Sequence, residues 1–233
     1  MKNERGSGFK IQKDTLMMYT KHQFSFQSHL IQNSGRFSRI AVAFLLVALF
    51  SASAFSQPLA QGKSKFLGVG TGSNIWSGLH LYWNQITPGN DGKWGSVEGT
   101  QGQFNWTNLD NIYNYTINRS FRYKHHTLVW GQQQPSWIGS LDSAAQRAAV
   151  VNWIQNVGQR YGSMAMVDVV NEPFHAVPVY ANALGGAGVS GYDWVITSFR
   201  LARQYCFPGV KLILNEYNVL HSNTVTTNYI RLI

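Results

Sequence analysis

The sequence predicts an α/β fold, and within that class a (β/α)8 TIM barrel, on three observations. Short β-like runs alternate with longer amphipathic stretches, which implies a parallel sheet joined by right-handed crossovers. The glycine fingerprint of an open dinucleotide-binding sheet is incomplete: Gly68-Val69-Gly70-Thr71-Gly72 lacks the third glycine and the trailing acid. Polar residues fall at the carboxyl ends of several strand candidates, the end at which barrels keep their chemistry.

The strand candidates are residues 66–70, 79–86, 122–130, 166–171 and 210–215. A first helix starts at the capping-box-like run Thr107-Asn108-Leu109-Asp110. Its inner face is Leu109, Ile112, Tyr113 and Thr116, spaced i, i+3, i+4, i+7. Asp142 or Ser143 can cap the next helix, whose buried stripe is Val150, Ile154, Val157 and Tyr161, with Gly162 placed to end it. Val195, Phe199, Ala202 and Cys206 form a third stripe, closed by Pro208-Gly209.

The chain has 233 residues and a formal net charge of +9, unevenly spread. Residues 1–56 hold seven Lys/Arg and two acids, leaving twelve basic and eight acidic groups for the rest. Residues 40–50 form an apolar run of 11, short of the ~20 a bilayer-spanning helix needs. Arg36 and Arg39 precede it and the small-residue string 51–56 follows, the pattern of a secretory signal peptide with a long basic leader, cleaved near 54–57. Met17 and Met18 are alternative starts. The expected location is therefore extracellular, with the periplasm or the cell surface as alternatives, and without stable membrane association after cleavage. No clustered basic run remains for nucleic acid. Cys206 is the single cysteine, which excludes a scaffold held by intrachain disulfides. The chain as a whole is 44% apolar, and all eight Trp fall in residues 57–233, which are expected to form one continuous globular part and to act as a monomer.

Residues 166–173 read MVDVVNEP, an apolar strand ending in an amide, a carboxylate and a proline. Glu172 would face the barrel mouth, where a carboxylate is costly to bury unless used or paired. The Asn171 amide can hydrogen-bond a substrate hydroxyl beside it, and Asp168 reads as a structural hydrogen-bonding acid. His126 and Trp130 lie four apart along a strand and share a side, while His125 and His126 point to opposite faces. His126, Trp130, Gln133 and Trp137 together suit sugar binding: flat rings cover a pyranose face, and amides and imidazoles bind its hydroxyls. Asn90 and Lys93 follow another strand end. No metal-ligand spacing, nucleophile elbow or phosphate loop occurs, so neither metal nor cofactor is expected. Asn105, Asn114 and Asn118 each begin an N-x-Ser/Thr sequon.

The runs TPGNDGKWGSVEGTQGQFNW, HHTLVWGQQQPSW, DVVNEPF and LILNEYN resemble, in order and spacing, those of family 10 glycoside hydrolases. Those enzymes are endo-1,4-β-xylanases on a (β/α)8 barrel, and the similarity runs from about Phe66 to Ile233. The resemblance implies Glu172 as acid/base and Asn171 as ligand of the 2-hydroxyl at the cleavage point. It implies Asn90, Lys93, His126, Trp130 and Gln133 as ligands of the non-reducing-side sugars, and Asn215 and Tyr217 near the scissile bond. Departures fall at Gly89, Gly92 and Gly131, where the family usually has an acid, a methionine and a histidine.

The resemblance also implies a nucleophilic Glu, in a threonine-glutamate-leucine-aspartate run on the seventh strand. The chain reaches Ile233 in what matches the helix after the fifth strand, so the nucleophile is expected beyond it. Glu216 also ends a strand, but LNEYN matches the fifth strand, with Asn215 and Tyr217 as the expected inward pair. The expected activity is retaining hydrolysis of internal β-1,4-xylosidic bonds by the parent protein, with these 233 residues alone inactive. Two other readings are a cellulase-like barrel glycanase and a non-catalytic xylan-binding remnant.

Overall fold

The computed structural model describes residues 59–233; the leader and signal peptide assigned to residues 1–56 lie outside the described residues. Five strands form one parallel sheet: β1 (Gly68–Thr71), β2 (Gln85–Pro88), β3 (Arg122–Val129), β4 (Met166–Asn171) and β5 (Lys211–Asn215). Their spatial order is their sequence order, each strand beside the next. A doubly wound sheet reverses direction at a switch point, and no reversal occurs among these strands. The winding is that of a barrel.

Among the described residues four helices of ten or more residues follow the strands, besides one short turn of helix at Trp94–Val97: α1 (Thr107–Ile117), α2 (Ser143–Arg160), α3 (Asp193–Tyr205) and α4 (Asn223–Leu232). The stripe of α2 packs as its spacing predicts, with Val150, Ile154, Val157 and Tyr161 all fully buried. Asp142 caps it, accepting from Ala145 N at 2.8 Å, which satisfies one of the helix's unpaired N-terminal donors. The helix ends at Arg160, with Tyr161 N bonded to Val157 O at 3.0 Å, just before Gly162. On α3, Val195, Ala202 and Cys206 are buried and Phe199 is half-buried. All six residues of β4 are buried, as a strand covered on both faces requires.

Three local expectations are corrected. The strand expected over 79–86 is a 3-10 turn, Leu79–Leu81, followed by the shorter β2. Its backbone donors bond locally, Leu81 N to Gly78 O at 3.0 Å and Tyr82 N to Leu79 O at 3.2 Å. Trp76 stacks on Tyr82, with ring centroids 5.8 Å apart, and aromatic clustering replaces ladder pairing there. The capping box at Thr107 does not form. Asp110 instead accepts from Arg160 Nε at 2.7 Å and from the Tyr161 hydroxyl at 2.9 Å, fastening α1 to the end of α2. The third correction is Trp137, whose indole N–H donates to Glu98 O at 2.9 Å and whose ring meets Trp94 edge-on at 5.8 Å. It is engaged by the core edge rather than standing as a free sugar platform.

Candidate active site

The site is built where β2, β3, β4 and β5 end. Adjacent residues of β3 divide between two environments, as strand geometry dictates. His125 is fully buried against α2, its ring 6.2 Å from both Trp153 and Tyr161. His126 takes the other face, its Nδ1 2.8 Å from Asp168 Oδ2 on β4, which also receives Lys124 Nζ at 2.9 Å. The two residues are register partners, and the ladder shifts just beyond them. Asp168 is thus a buried acid in contact with Lys124 and His126, which fits the structural hydrogen-bonding role expected of it.

Beyond the strand ends, one chain of polar contacts crosses the mouth. Lys93 Nζ donates to Asn90 Oδ1 at 2.8 Å and to Gln133 Oε1 at 2.6 Å, and lies 4.7 Å from the Trp130 ring centre. Trp130 Nε1 donates to Glu172 Oε2 at 3.0 Å. Glu172 N donates to Asn215 O at 2.7 Å, and Asn215 Nδ2 to Asn171 Oδ1 at 2.6 Å. The His126 ring lies 6.3 Å from that of Trp130. Partial burial pushes the Lys93 ammonium below its usual value, and the Glu172 charge pulls it back up.

Two residues of this network hold left-handed backbone without being glycine, Gln133 at φ 47° and Glu172 at φ 53°. Such conformations cost of order 1–3 kcal/mol and persist where the surroundings over-determine them. Around Glu172 they do: its N–H is taken by β5, and its carbonyl accepts from His175 N at 3.1 Å and Ala176 N at 2.8 Å.

Two of the three glycines at the departing positions, Gly131 and Gly92, have a steric cause. A Cβ on Gly131 would meet Ala176 O at 2.5 Å and Val177 O at 2.6 Å, and Gly131 N bonds Ala176 O at 2.9 Å. The loops after β3 and β4 touch there, backbone to backbone. A Cβ on Gly92 would meet His126 O at 2.3 Å. At Gly89 the nearest neighbour stands at 3.5 Å, an ordinary contact.

Polar and ring contacts join Asn90, Lys93, His126, Trp130, Gln133, Asn171, Glu172 and Asn215, while Tyr217 makes its contacts with His175 and Glu216 just after β5. β5 ends at Asn215, so strand alternation does not carry on to Tyr217. Tyr217 stacks on His175 with centroids 3.9 Å apart. The Glu216 side chain is fully buried beneath them, 2.8 Å from His175 Nδ1. Sequence reasoning missed His175; its place three residues after Glu172 was the available signal. Glu98 was missed as well. It is buried, accepting from Trp94 Nε1 at 2.6 Å and Gly102 N at 2.8 Å, and it braces the segment that carries Lys93.

The family described as glycosyl hydrolase family 10 matches residues 59–233. Endo-1,4-beta-xylanase B of Cellvibrio japonicus is 45% identical over 155 residues, covering 66% of this chain and 25% of that protein. An endo-1,4-beta-xylanase of Agaricus bisporus is 33% identical over 153 residues, covering 64% of this chain and 45% of that protein. The chain thus spans between a quarter and a half of the length of these curated relatives. Among solved structures, a family 10 protein from Paenibacillus barcinonensis superposes with a TM-score of 0.67 at 23% identity, covering 77% of this chain and 58% of that one. An endo-1,4-beta-xylanase from Caldicellulosiruptor owensensis gives 0.65 at 21%, covering 76% and 58%. At such identities the structural likeness speaks for the barrel fold alone. The family match does more: it runs through all five strands and every residue of the polar network, and the chain belongs to glycosyl hydrolase family 10.

Proposed function

We propose that the protein carrying this chain is a secreted endo-1,4-β-xylanase that hydrolyses internal xylosidic bonds of xylan with retention, with Glu172 as acid/base. The observation that carries this reading is the setting of Glu172. Its carboxylate ends a buried strand at the barrel mouth and accepts the Trp130 N–H at 3.0 Å, with the Asn171–Asn215 amide pair beside its backbone. Protonated, it gives its proton to the leaving oxygen; ionised, it takes one from the incoming water. Asn171 binds the 2-hydroxyl of the sugar being cleaved. Asn90, Lys93, His126, Trp130 and Gln133 form the wall for the non-reducing-side sugars, and Asn215 and Tyr217 flank the scissile bond.

A retaining mechanism needs a second carboxylate ~5–5.5 Å from the first, to attack the anomeric carbon. Glu216 is committed to three hydrogen bonds and Asp168 to Lys124 and His126. Neither is placed to serve as that second carboxylate. The protein works as a monomer without cofactor, and the basic leader directs its export. The test is hydrolysis by the full-length gene product. Xylan is cut with release of xylo-oligosaccharides and carboxymethylcellulose is left intact; the reverse preference makes the protein a cellulase, and binding without cleavage makes it a sugar-binding remnant.

A further inference from the structure

We propose that Glu216 is a positioning residue for Glu172, holding the turn from which the acid/base is aimed. The inference rests on the xylan-cleaving reading above. Glu172 and Glu216 each follow the last residue of neighbouring strands, β4 and β5. They face different tasks. Glu172 reaches across the mouth to Trp130, whereas the side chain of Glu216 is completely withdrawn from solvent.

A buried carboxylate is stable only when its oxygens are occupied, and those of Glu216 are. Oε2 accepts from Phe174 N at 3.0 Å; Oε1 accepts from Tyr217 N at 2.7 Å and lies 2.8 Å from His175 Nδ1. Two of the three partners, Phe174 and His175, lie within three residues of Glu172. That turn needs outside support, because Glu172 sits in left-handed backbone at φ 53°. Glu172 N bonded to Asn215 O ties the front of the turn to β5, and Glu216 ties its back to the same strand end. The His175 ring is held between Glu216 below and the stacked Tyr217 ring, so one carboxylate also fixes both side walls.

A group that aims an acid has a signature that general support of the fold lacks. Cleaving an unactivated xylo-oligosaccharide requires a proton on the departing sugar oxygen. Cleaving a dinitrophenyl β-xylobioside does not, since the phenolate leaves unaided. The test compares kcat/KM, which follows the first bond-breaking step, for both substrates in the full-length protein and its Glu216→Gln variant. Gln keeps the volume but presents an NH2 to one of the backbone donors. The ratio of the two constants is independent of how much variant is folded. The expected result is a fall of about ten- to a hundredfold on the oligosaccharide, with a change of less than about threefold on the aryl substrate. His175→Ala, which removes one donor from the outside of the cluster, gives the same direction with a smaller fall and serves if Glu216→Gln does not fold. Equal falls on both substrates, or no fall on either, overturn the inference while leaving the function in place. A wild-type protein that cleaves neither substrate overturns the function and this inference together.

Discussion

The indole N–H of Trp130 points at Glu172 Oε2 across 3.0 Å, so a residue after the third strand and a residue after the fourth act on each other at the barrel mouth. The same indole lies beneath Lys93 at 4.7 Å. One aromatic side chain thus joins the cationic side of the mouth, where Lys93 is fastened to Asn90 and Gln133, to the carboxylate side.

Trp130→Phe keeps an aromatic face but removes the donor. Hydrogen bonds to charged groups contribute about 1.5–3 kcal/mol. The expected loss in kcat/KM on xylo-oligosaccharides is therefore about ten- to a hundredfold, read from initial rates of the full-length protein. An unchanged kcat/KM removes the Trp130–Glu172 bond from the account.

Gly131→Ala tests the backbone contact between the loops after β3 and β4. The new methyl meets two carbonyl oxygens at 2.5 and 2.6 Å, and neither belongs to a flexible side chain. Overpacking of this kind costs about 1–3 kcal/mol. A lowered thermal unfolding midpoint is expected, with a fall in activity because the Trp130 and Glu172 loops must part. A midpoint equal to wild type means that the loops yield without strain.

His125 makes stability depend on pH. Burial first, and the neighbouring His126 second, push its pKa from 6.5 down to about 3, against an opposing pull from Asp168. Tyr123, whose hydroxyl lies 3.2 Å from Nδ1, and Tyr161 also face it. The folded pKa is the lower one, so between 6.5 and about 3 the unfolded chain holds a proton that the native chain does not. Stability is whole above pH 6.5 and erodes as pH falls, by up to ~1.4 kcal/mol per unit, levelling near 3. Urea unfolding of wild type and His125→Gln from pH 7 to pH 4 reads the difference. The variant has the shallower slope, and equal slopes contradict a neutral buried His125.

The sequence was most legible where local pattern and tertiary demand agree. The bounds of β4 follow from an apolar run ending in Asn171, and the stripe of α2 from its spacing and from Asp142 as cap. Legibility failed where a distant partner decided. Asp110 left its expected cap for Arg160, fifty residues on, and the aromatic cluster of Trp76, Tyr82 and Trp83 overrode the strand pattern around it. The polar grouping at the mouth followed from residues at strand ends, because a barrel gathers those ends. The stacking of Tyr217 on His175, and the hold of Glu216 on the turn after Glu172, depended on where β5 stops, which periodicity does not reveal.

The assignment of Glu172 as acid/base is tested most directly by Glu172→Ala in the full-length protein, assayed with and without azide. Loss of a general acid/base lowers turnover of unactivated xylo-oligosaccharides by about 10²–10⁴. A dinitrophenyl β-xylobioside should still react in its first step, and azide, small enough for the space the carboxylate leaves, should restore turnover and give the β-configured xylobiosyl azide. Oligosaccharide cleavage at the wild-type rate, or a loss on both substrates that azide does not relieve, contradicts the account.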